Sequence, residues 1–144
     1  MEKTEKDIAA GELKQAAIIM CDVNNLKTIN DNLGHDAGDI YLKNCSRLLC
    51  DTFSHSPIFR IGGDEFVVIT ATEDFPVREQ LLAEMRSKME AMNTSEISPM
   101  SKVSIAVGMA EFDSGKDKSI FDAVKRADAF MYMNKAEMKA KLLL

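Results

Sequence analysis

The stretch FRIGGDEFVVIT (residues 59–70) contains two apolar segments separated by adjacent glycines and adjacent carboxylates. The apolar residues on either side of Gly62 and Gly63 predict a β-hairpin with a two-glycine turn. A tight turn explains the glycines, because glycine tolerates backbone conformations that other residues avoid. It does not explain why Asp64 and Glu65 stand together where the second strand of the hairpin begins.

The hairpin belongs to a regular succession of predicted elements. Upstream, QAAIIMCDV (15–23) is a near-continuous apolar run, typical of a strand buried on both faces. Two helices are predicted between this strand and the hairpin, and a helix, a strand and a long helix after it; their ranges are 24–35, 36–53, 76–92, 102–112 and 119–144. The inward face of the final helix is predicted to consist of Phe121, Val124, Ala127, Met131 and Tyr132.

Without the extra helix and the terminal helix, the element order is βαββαβ. This order predicts an α+β, ferredoxin-like fold, in which an antiparallel central sheet is flanked by helices on one face. With 144 residues and no linker or repeat, the chain is expected to form a single domain, 1–144.

The composition narrows the possible partners. A net charge of −5 argues against a broad surface for nucleic acid or an anionic membrane, although metal ions can still link phosphates to carboxylates. No apolar run approaches the roughly 18 residues of a membrane span. Cys21, Cys45 and Cys50 lack metal-type spacing and are read as reduced thiols. We expect a cytoplasmic domain, either free or as the cytoplasmic part of a membrane-anchored protein.

Two carboxylates are expected to meet at one edge of the sheet. In the βαββαβ fold, the first strand and the second hairpin strand are antiparallel neighbours, so Asp22 at the end of one faces Asp64 at the start of the other. Such carboxylates repel unless a cation lies between them. Mg²⁺ suits hard oxygen ligands, and two ions can clamp the attacking and leaving oxygens of a phosphoryl transfer. The hairpin tip alone is also compatible with a plain solvated turn.

The segment NNLKTINDNLGHDAGD (24–39) is dense in polar residues between two apolar elements. A guanine edge offers N–H donors and one carbonyl, which a carboxylate and an amide can read together. Asn30 and Asp39 are the best pair for this role, and Lys27, one helical turn before Asn30, can reach phosphate. His35 is equally compatible with lining the pocket and with a hydrogen bond at a helix end.

Four blocks of the chain together resemble a known family. They are CDVNNLKTINDNLGHDAGD, FRIGGDEFVVI, SIAVGMAEF and ADAFMYMNK, in this order within residues 15–139. On these blocks the chain resembles the GGDEF domain, the catalytic domain of diguanylate cyclases. The resemblance implies the palm fold of nucleotidyl cyclases. It also implies condensation of two GTP into cyclic di-GMP, with release of two pyrophosphates, between the two subunits of a homodimer.

The resemblance also implies roles for individual residues. The implied ligands of two Mg²⁺ ions per site, or of Mn²⁺, are Asp22, the Val23 carbonyl, Asp64 and Glu65. Asp64 matches the base for the 3′-hydroxyl and Glu65 a further catalytic carboxylate. The implied substrate contacts are Asn30 and Asp39 with neighbouring His35 on guanine, Gly62 and Gly63 in the turn, and Lys27, Lys135 and Lys139 on phosphates.

The chain departs from the family pattern at four places. Asn24 stands where an Asp is usual, and Lys139 where an Arg often contacts phosphate. FSHS (53–56) replaces the Arg-x-x-Asp of the inhibitory product site, so no such site is expected there. The family's Leu-Thr-Gly-Leu-x-Asn-Arg segment is missing before the first strand. We therefore expect a domain cut from a longer protein, without its upstream sensory or regulatory domain.

The same residues leave two alternatives to a GTP-specific cyclase open. A GTP-binding regulatory module that does not turn GTP over is favoured by the departures at Asn24 and Lys139. A cyclase that also accepts ATP is opposed by Asp39, because a carboxylate there favours the N–H donors of guanine.

Overall fold

The computed structural model of the chain describes residues 15–94 and 102–141. Its strands are β1 (Gln15–Val23), β2 (Ile58–Arg60), β3 (Glu65–Thr70) and β4 (Ile105–Asp113). Its helices are α1 (Leu26–Leu33), α2 (His35–Thr52), α3 (Arg78–Thr94) and α4 (Ile120–Ala140), with a 3-10 turn, Phe75–Val77, leading into α3. The ends of the predicted domain and of the final predicted helix, 1–14 and 142–144, lie outside the described residues.

The four strands form one sheet in the order β2-β3-β1-β4, with every neighbouring pair antiparallel. The predicted α+β, βαββαβ arrangement with β1 and β3 at its centre is confirmed. Every residue of β1 after Gln15 is buried, as expected for a central strand with both faces covered. The hairpin connection occupies residues 61–64, between β2 and β3.

Side-chain alternation along β1 divides the core into two layers. Ile19, Cys21 and Val23 pack in one cluster with residues of α1, α2 and α3. Ile18 and Met20 point to the other face and pack in a second cluster with α4. The expectation of helices on one face therefore holds for α1, α2 and α3, whereas the terminal helix α4 covers the opposite face.

Helix α4 faces the sheet with a different set of side chains from the predicted one. Ala127 and Met131 are buried as predicted, and Val124 packs beside them. Phe121 and Tyr132 were predicted to face inward but are 44% and 66% exposed. Buried positions are also taken by Ile120 and Ala123.

Gly108 explains this orientation of α4. A Cβ atom built at Gly108 would lie 2.1 Å from the backbone N of Met131 and 2.2 Å from the backbone O of Ala127. The helix backbone therefore rests directly on the strand at this glycine. Such close contact favours a small residue at the point of contact, as Ala127 is, whereas Phe121 and Tyr132 lie on the outer side of the helix.

None of the three cysteines forms a disulfide, and only Cys50 is exposed. Burial raises the pKa of the Cys45 thiol to about 12, so it stays protonated at neutral pH. Across the described parts of the chain, no helix is both long and apolar enough to span a membrane.

Candidate active site

The carboxyl end of β1 and the start of β3 bring three carboxylates to one edge of the sheet. Asp22 lies directly opposite Glu65 in the strand register. The backbone N–H of Val23 donates to the backbone O of Asp64 over 2.8 Å. The predicted meeting of the two strand ends is thus confirmed, with the refinement that Asp22 is paired with Glu65 and not with Asp64.

Asp22 is nearly buried and is paired with a cation from α4. Its Oδ2 lies 3.0 Å from Nζ of Lys135, while the residue is 8% exposed. Its Oδ1 is buried and accepts no hydrogen bond from the described part of the protein. Lys135, for which a phosphate contact was implied, therefore lies against this carboxylate. A bound cation would be favourable next to such a buried acceptor, because the acceptor has no hydrogen-bond donor.

The charge of Glu65 is unfavourable in this arrangement. Burial raises the pKa of its carboxyl group above the ordinary value, and repulsion from Asp22, Asp64 and Asp128 raises it further, whereas Lys135 opposes the shift. The edge of the sheet therefore concentrates negative charge that Lys135 balances only in part.

This repulsion gives a pH-dependent prediction for Glu65→Gln. Between the ordinary pKa of 4.5 and the higher pKa of the folded state, the folded protein binds the proton of Glu65 more tightly than the unfolded chain. Stability therefore falls as pH rises through this window. In the presence of EDTA, the variant should melt at a higher Tm than wild type at neutral pH, and the two Tm values should converge below the ordinary pKa. A variant that melts lower at neutral pH would contradict this reading.

The chemistry of these residues fits Mg²⁺ held by few protein ligands. No group of three or more His, Cys, Asp or Glu side chains within residues 15–94 and 102–141 is placed to hold one ion. Mg²⁺ usually takes only one or two carboxylates and completes its shell with water and substrate phosphates. The Asp22 and Glu65 pair and the unpartnered Oδ1 of Asp22 suit that kind of site.

A cleft of about 430 Å³ opens beside these carboxylates, between α1 and the hairpin tip. Its lining consists of Leu26, Lys27, Asn30, Asp31, His35, Gly63 and Asp64. Five of the predicted site residues thus share one cleft, namely Lys27, Asn30, His35, Gly63 and Asp64. Asp39, Gly62 and Lys139 are not part of its lining. Asp39 lies one helical turn after His35 on α2, and Lys139 one turn after Lys135 on α4.

The hairpin tip shows why it contains glycines. Neither Gly62 nor Gly63 has a positive φ, so the backbone conformation does not require glycine at either position. The carbonyl oxygens of both accept from the Arg60 side chain, at 3.2 Å and 2.7 Å. A Cβ on Gly63 would meet no atom within 4 Å. The absence of a side chain therefore leaves open space where Gly63 borders the cleft, so that a ligand can approach the backbone closely there.

Gly38, which contacts the candidate site residue Asn30, was not singled out from the sequence. A Cβ built on it would lie 1.7 Å from Oδ1 and 2.8 Å from Cγ of Asn30. The Asn30 side chain therefore lies directly on the backbone of α2, which fixes the amide in the cleft. The signal in the sequence was a glycine inside a predicted helix, which usually has a packing reason.

Tyr41 and Asn24 belong to a hydrogen-bond network that could not be seen in the sequence. The buried Tyr41 hydroxyl donates to the Asn24 carbonyl over 2.6 Å and accepts from the Ser104 N–H over 3.2 Å. The Asn24 amide donates to the Ser104 Oγ over 3.0 Å and to the Met138 sulfur over 3.6 Å. An ionised carboxylate at position 24 could not donate these bonds. Asn24 thus fastens the turn that follows Asp22.

The chain has an α+β, palm-like fold and superposes on the active GGEEF domain of a Vibrio cholerae diguanylate cyclase with a TM-score of 0.78 at 24% identity, over 94% of this chain and 87% of that one. The GGDEF domain of DgcB from Caulobacter crescentus, solved in complex with c-di-GMP, gives a TM-score of 0.77 at 23% identity, over 94% and 82% of the two chains.

The family model "Diguanylate cyclase, GGDEF domain" matches residues 2–141, and the chain belongs to this family. It is 31% identical to diguanylate cyclase A of Treponema denticola, over 94% of this chain and 37% of that protein. It is 30% identical to diguanylate cyclase DosC of Escherichia coli, over 83% of this chain and 26% of that protein. The chain thus spans well under half of the length of these relatives.

Proposed function

We propose that this domain is a diguanylate cyclase that condenses two GTP molecules into cyclic di-GMP and two pyrophosphates. The observation that carries the proposal is the position of the Asp22 and Glu65 pair beside a cleft lined by Asp64, Lys27 and Asn30. The carboxylates proposed to bind metal thus lie beside a candidate general base, Asp64. Lys27 is a cation that could contact phosphate, and Asn30 has an amide that could bind the guanine edge. Phosphoryl transfer depends mainly on such positioning and on charge neutralisation.

Asp22, Glu65, Asp64 and the Val23 carbonyl would hold two Mg²⁺ ions, or Mn²⁺ in their place. When bound, the ions would neutralise phosphate charge and stabilise the attacking and leaving oxygens. Asp64 lines the cleft directly and would accept the proton of the 3′-hydroxyl.

The remaining cleft residues would bind and orient the nucleotide. Asn30 would exchange hydrogen bonds with the guanine edge, and Asp39 would accept from its N–H groups, with His35 beside them. Lys27, Lys135 and Lys139 would contact the phosphates. Because Gly63 presents no side chain, the turn of Gly62 and Gly63 can approach the nucleotide closely.

The reaction would require a homodimer. Each subunit would hold one nucleotide in the described cleft, and its 3′-hydroxyl would have to reach the α-phosphate of a second nucleotide held by another subunit. We also propose that an upstream sensory or regulatory domain controls this encounter, and that the domain works in the cytoplasm, where GTP is available. The free cysteines agree with a reducing compartment.

A turnover assay tests the proposal. Purified protein is incubated with GTP and Mg²⁺ over a wide range of protein concentrations, and cyclic di-GMP and pyrophosphate are quantified. The specific activity should rise with protein concentration because the active species is a dimer. Absence of product at concentrations where the protein is dimeric by light scattering would overturn the cyclase assignment.

A GTP-binding regulatory module is the second candidate. It is favoured by Asn24, whose amide is used to fasten the turn after Asp22 and adds no charge for a metal. Calorimetric binding of GTP with no release of pyrophosphate would support this candidate over the cyclase.

Replacing Gly38 by alanine is expected to weaken GTP binding without unfolding the domain. The new methyl group would displace the Asn30 side chain, which is the flexible partner in this contact. Loss of its hydrogen bonds to guanine should raise the Kd about tenfold. Calorimetry on the single variants G38A and N30A and on the double variant checks this. Additive effects of the two substitutions would show that Gly38 does not act through Asn30.

A further inference from the structure

We propose that Lys135 is a built-in counter-cation of Asp22, which a divalent ion must displace before the site can bind a nucleotide. This inference rests on the metal site of the proposed function. The inference adds to the proposed function that Lys135 has two successive partners, first Asp22 and then phosphate. It also adds that Lys135 weakens metal binding when no nucleotide is present.

The contact is built into the fold. Lys135 Nζ and Asp22 Oδ2 are 3.0 Å apart, and the two side chains are 38% and 11% exposed. The partners are 113 positions apart in sequence and come from different elements, α4 and β1. A charged side chain as little exposed as that of Asp22 is stabilised by a partner of opposite charge, and Lys135 provides it.

The position of the lysine side chain is set by a rigid element. Helix α4 rests with its backbone on Gly108, so the helix has little freedom to shift on the sheet. The side chain of lysine has four rotatable carbon–carbon bonds and changes direction easily. Release of Asp22 would therefore need a rotation of this side chain and no movement of α4.

A divalent ion on the free Oδ1 of Asp22 would lie close to the ammonium group of Lys135, which is bound to Oδ2 of the same carboxylate. Mg²⁺ binds carboxylate oxygens at roughly 2.1 Å, so a metal on this carboxylate would lie within a few ångströms of the Lys135 charge. Like charges at such a distance repel strongly in a partly buried site. Once released from Asp22, the ammonium group of Lys135 would be available for the phosphate contact proposed for it.

The two roles of Lys135 predict opposite effects of one substitution. In Lys135→Met, which keeps the side-chain length but removes the charge, Mn²⁺ should bind the nucleotide-free protein about tenfold more tightly than it binds wild type. In the presence of Mn²⁺, a non-hydrolysable GTP analogue should bind this variant more weakly than wild type, because a phosphate contact is lost. If Lys135 only contacted phosphate, its replacement by methionine would not make Mn²⁺ binding tighter.

Mn²⁺ binding is measured by the electron paramagnetic resonance signal of the free ion, without nucleotide. Lys125→Met is the matched control: it removes the same charge from an exposed position of α4, ten residues before Lys135. It should change Mn²⁺ affinity by less than about threefold. Lys135→Arg keeps the charge and should bind Mn²⁺ with an affinity close to that of wild type. Thermal melts in EDTA establish that each variant is folded.

The outcomes separate this inference from the proposed function. If wild type binds Mn²⁺ and Lys135→Met binds it equally or more weakly, the counter-cation role is overturned and the metal site stands. If neither protein binds Mn²⁺, both the inference and the proposed metal site are overturned. If Lys135→Met does not fold, the comparison of Lys135→Ala with Lys125→Ala decides, with the same expected order of affinities.

Discussion

Asp64→Ala is expected to lower cyclic di-GMP formation by roughly 10³-fold, the range found when a general base is removed. Asp64 lines the cleft next to Gly63, where the 3′-hydroxyl would lose its proton in the proposed reaction. The fold should survive, because the only described hydrogen bond of Asp64 uses its backbone oxygen, which accepts from Val23 and is kept in alanine. Product is measured by chromatography after incubation with GTP and Mg²⁺.

Asp64→Ala is expected to affect turnover but not GTP binding, so measuring both tests the catalytic role of Asp64 specifically. Asp64→Ala should still bind GTP, because Lys27 and Asn30 remain in the cleft. Asp51→Ala is the matched control, since it removes an exposed carboxylate near the end of α2, far along the helix from His35. It should leave turnover within about twofold of wild type, as for an ordinary surface substitution. Product formation by Asp64→Ala at the level of this control would remove Asp64 from the mechanism.

Local patterns were sufficient to predict the strands that carry the carboxylates. The apolar run 15–23 is observed as β1 with the predicted boundaries, and the segment after the glycines as β3 (Glu65–Thr70). The element order then placed Asp22 beside the start of β3, because few topologies allow a βαββαβ chain to form one sheet. These conclusions needed only the period and order of the apolar residues.

Boundaries set by individual contacts could not be predicted in this way. Helix α1 begins at Leu26 and not at residue 24, because Asn25 adopts a left-handed conformation with φ 68°. Strand β4 begins at Ile105 and not at residue 102, and the preceding residues bond to other groups: Val103 N–H donates to the Asn93 side chain. Such bonds involve partners distant in sequence, which periodicity does not identify.

The candidate site shows the same limit. Residue types sufficed to select Lys27, Asn30, His35 and Asp64, which do share a cleft. The contact of Lys135 with Asp22 was not predicted, because it depends on the sheet face that α4 covers. The support of Asn30 by Gly38 was missed for a similar reason, since it depends on how closely α1 and α2 pack.

The face covered by α4 leads to the prediction with the largest effect on stability, for Gly108→Ala. In an ordinary strand interior, alanine in place of glycine is stabilising by several tenths of a kcal/mol. Here the new Cβ would lie 2.1 Å and 2.2 Å from backbone atoms of Met131 and Ala127. Backbone cannot move aside as a side chain can, so α4 must lift from the sheet. We expect a loss of about 3 kcal/mol in the free energy of unfolding.

Urea unfolding followed by circular dichroism measures this loss, with Gly115→Ala as the matched control. A Cβ on Gly115 would meet only the Asp113 carboxylate oxygen, at 3.3 Å, so this variant should lose less than about 1 kcal/mol. Lifting of α4 would also carry Lys135 away from Asp22, so any folded fraction of Gly108→Ala should resemble Lys135→Met in its Mn²⁺ affinity. Equal unfolding midpoints for Gly108→Ala and wild type would mean that α4 leaves the sheet at little cost, and its backbone contact at Gly108 would then not fix the position of Lys135.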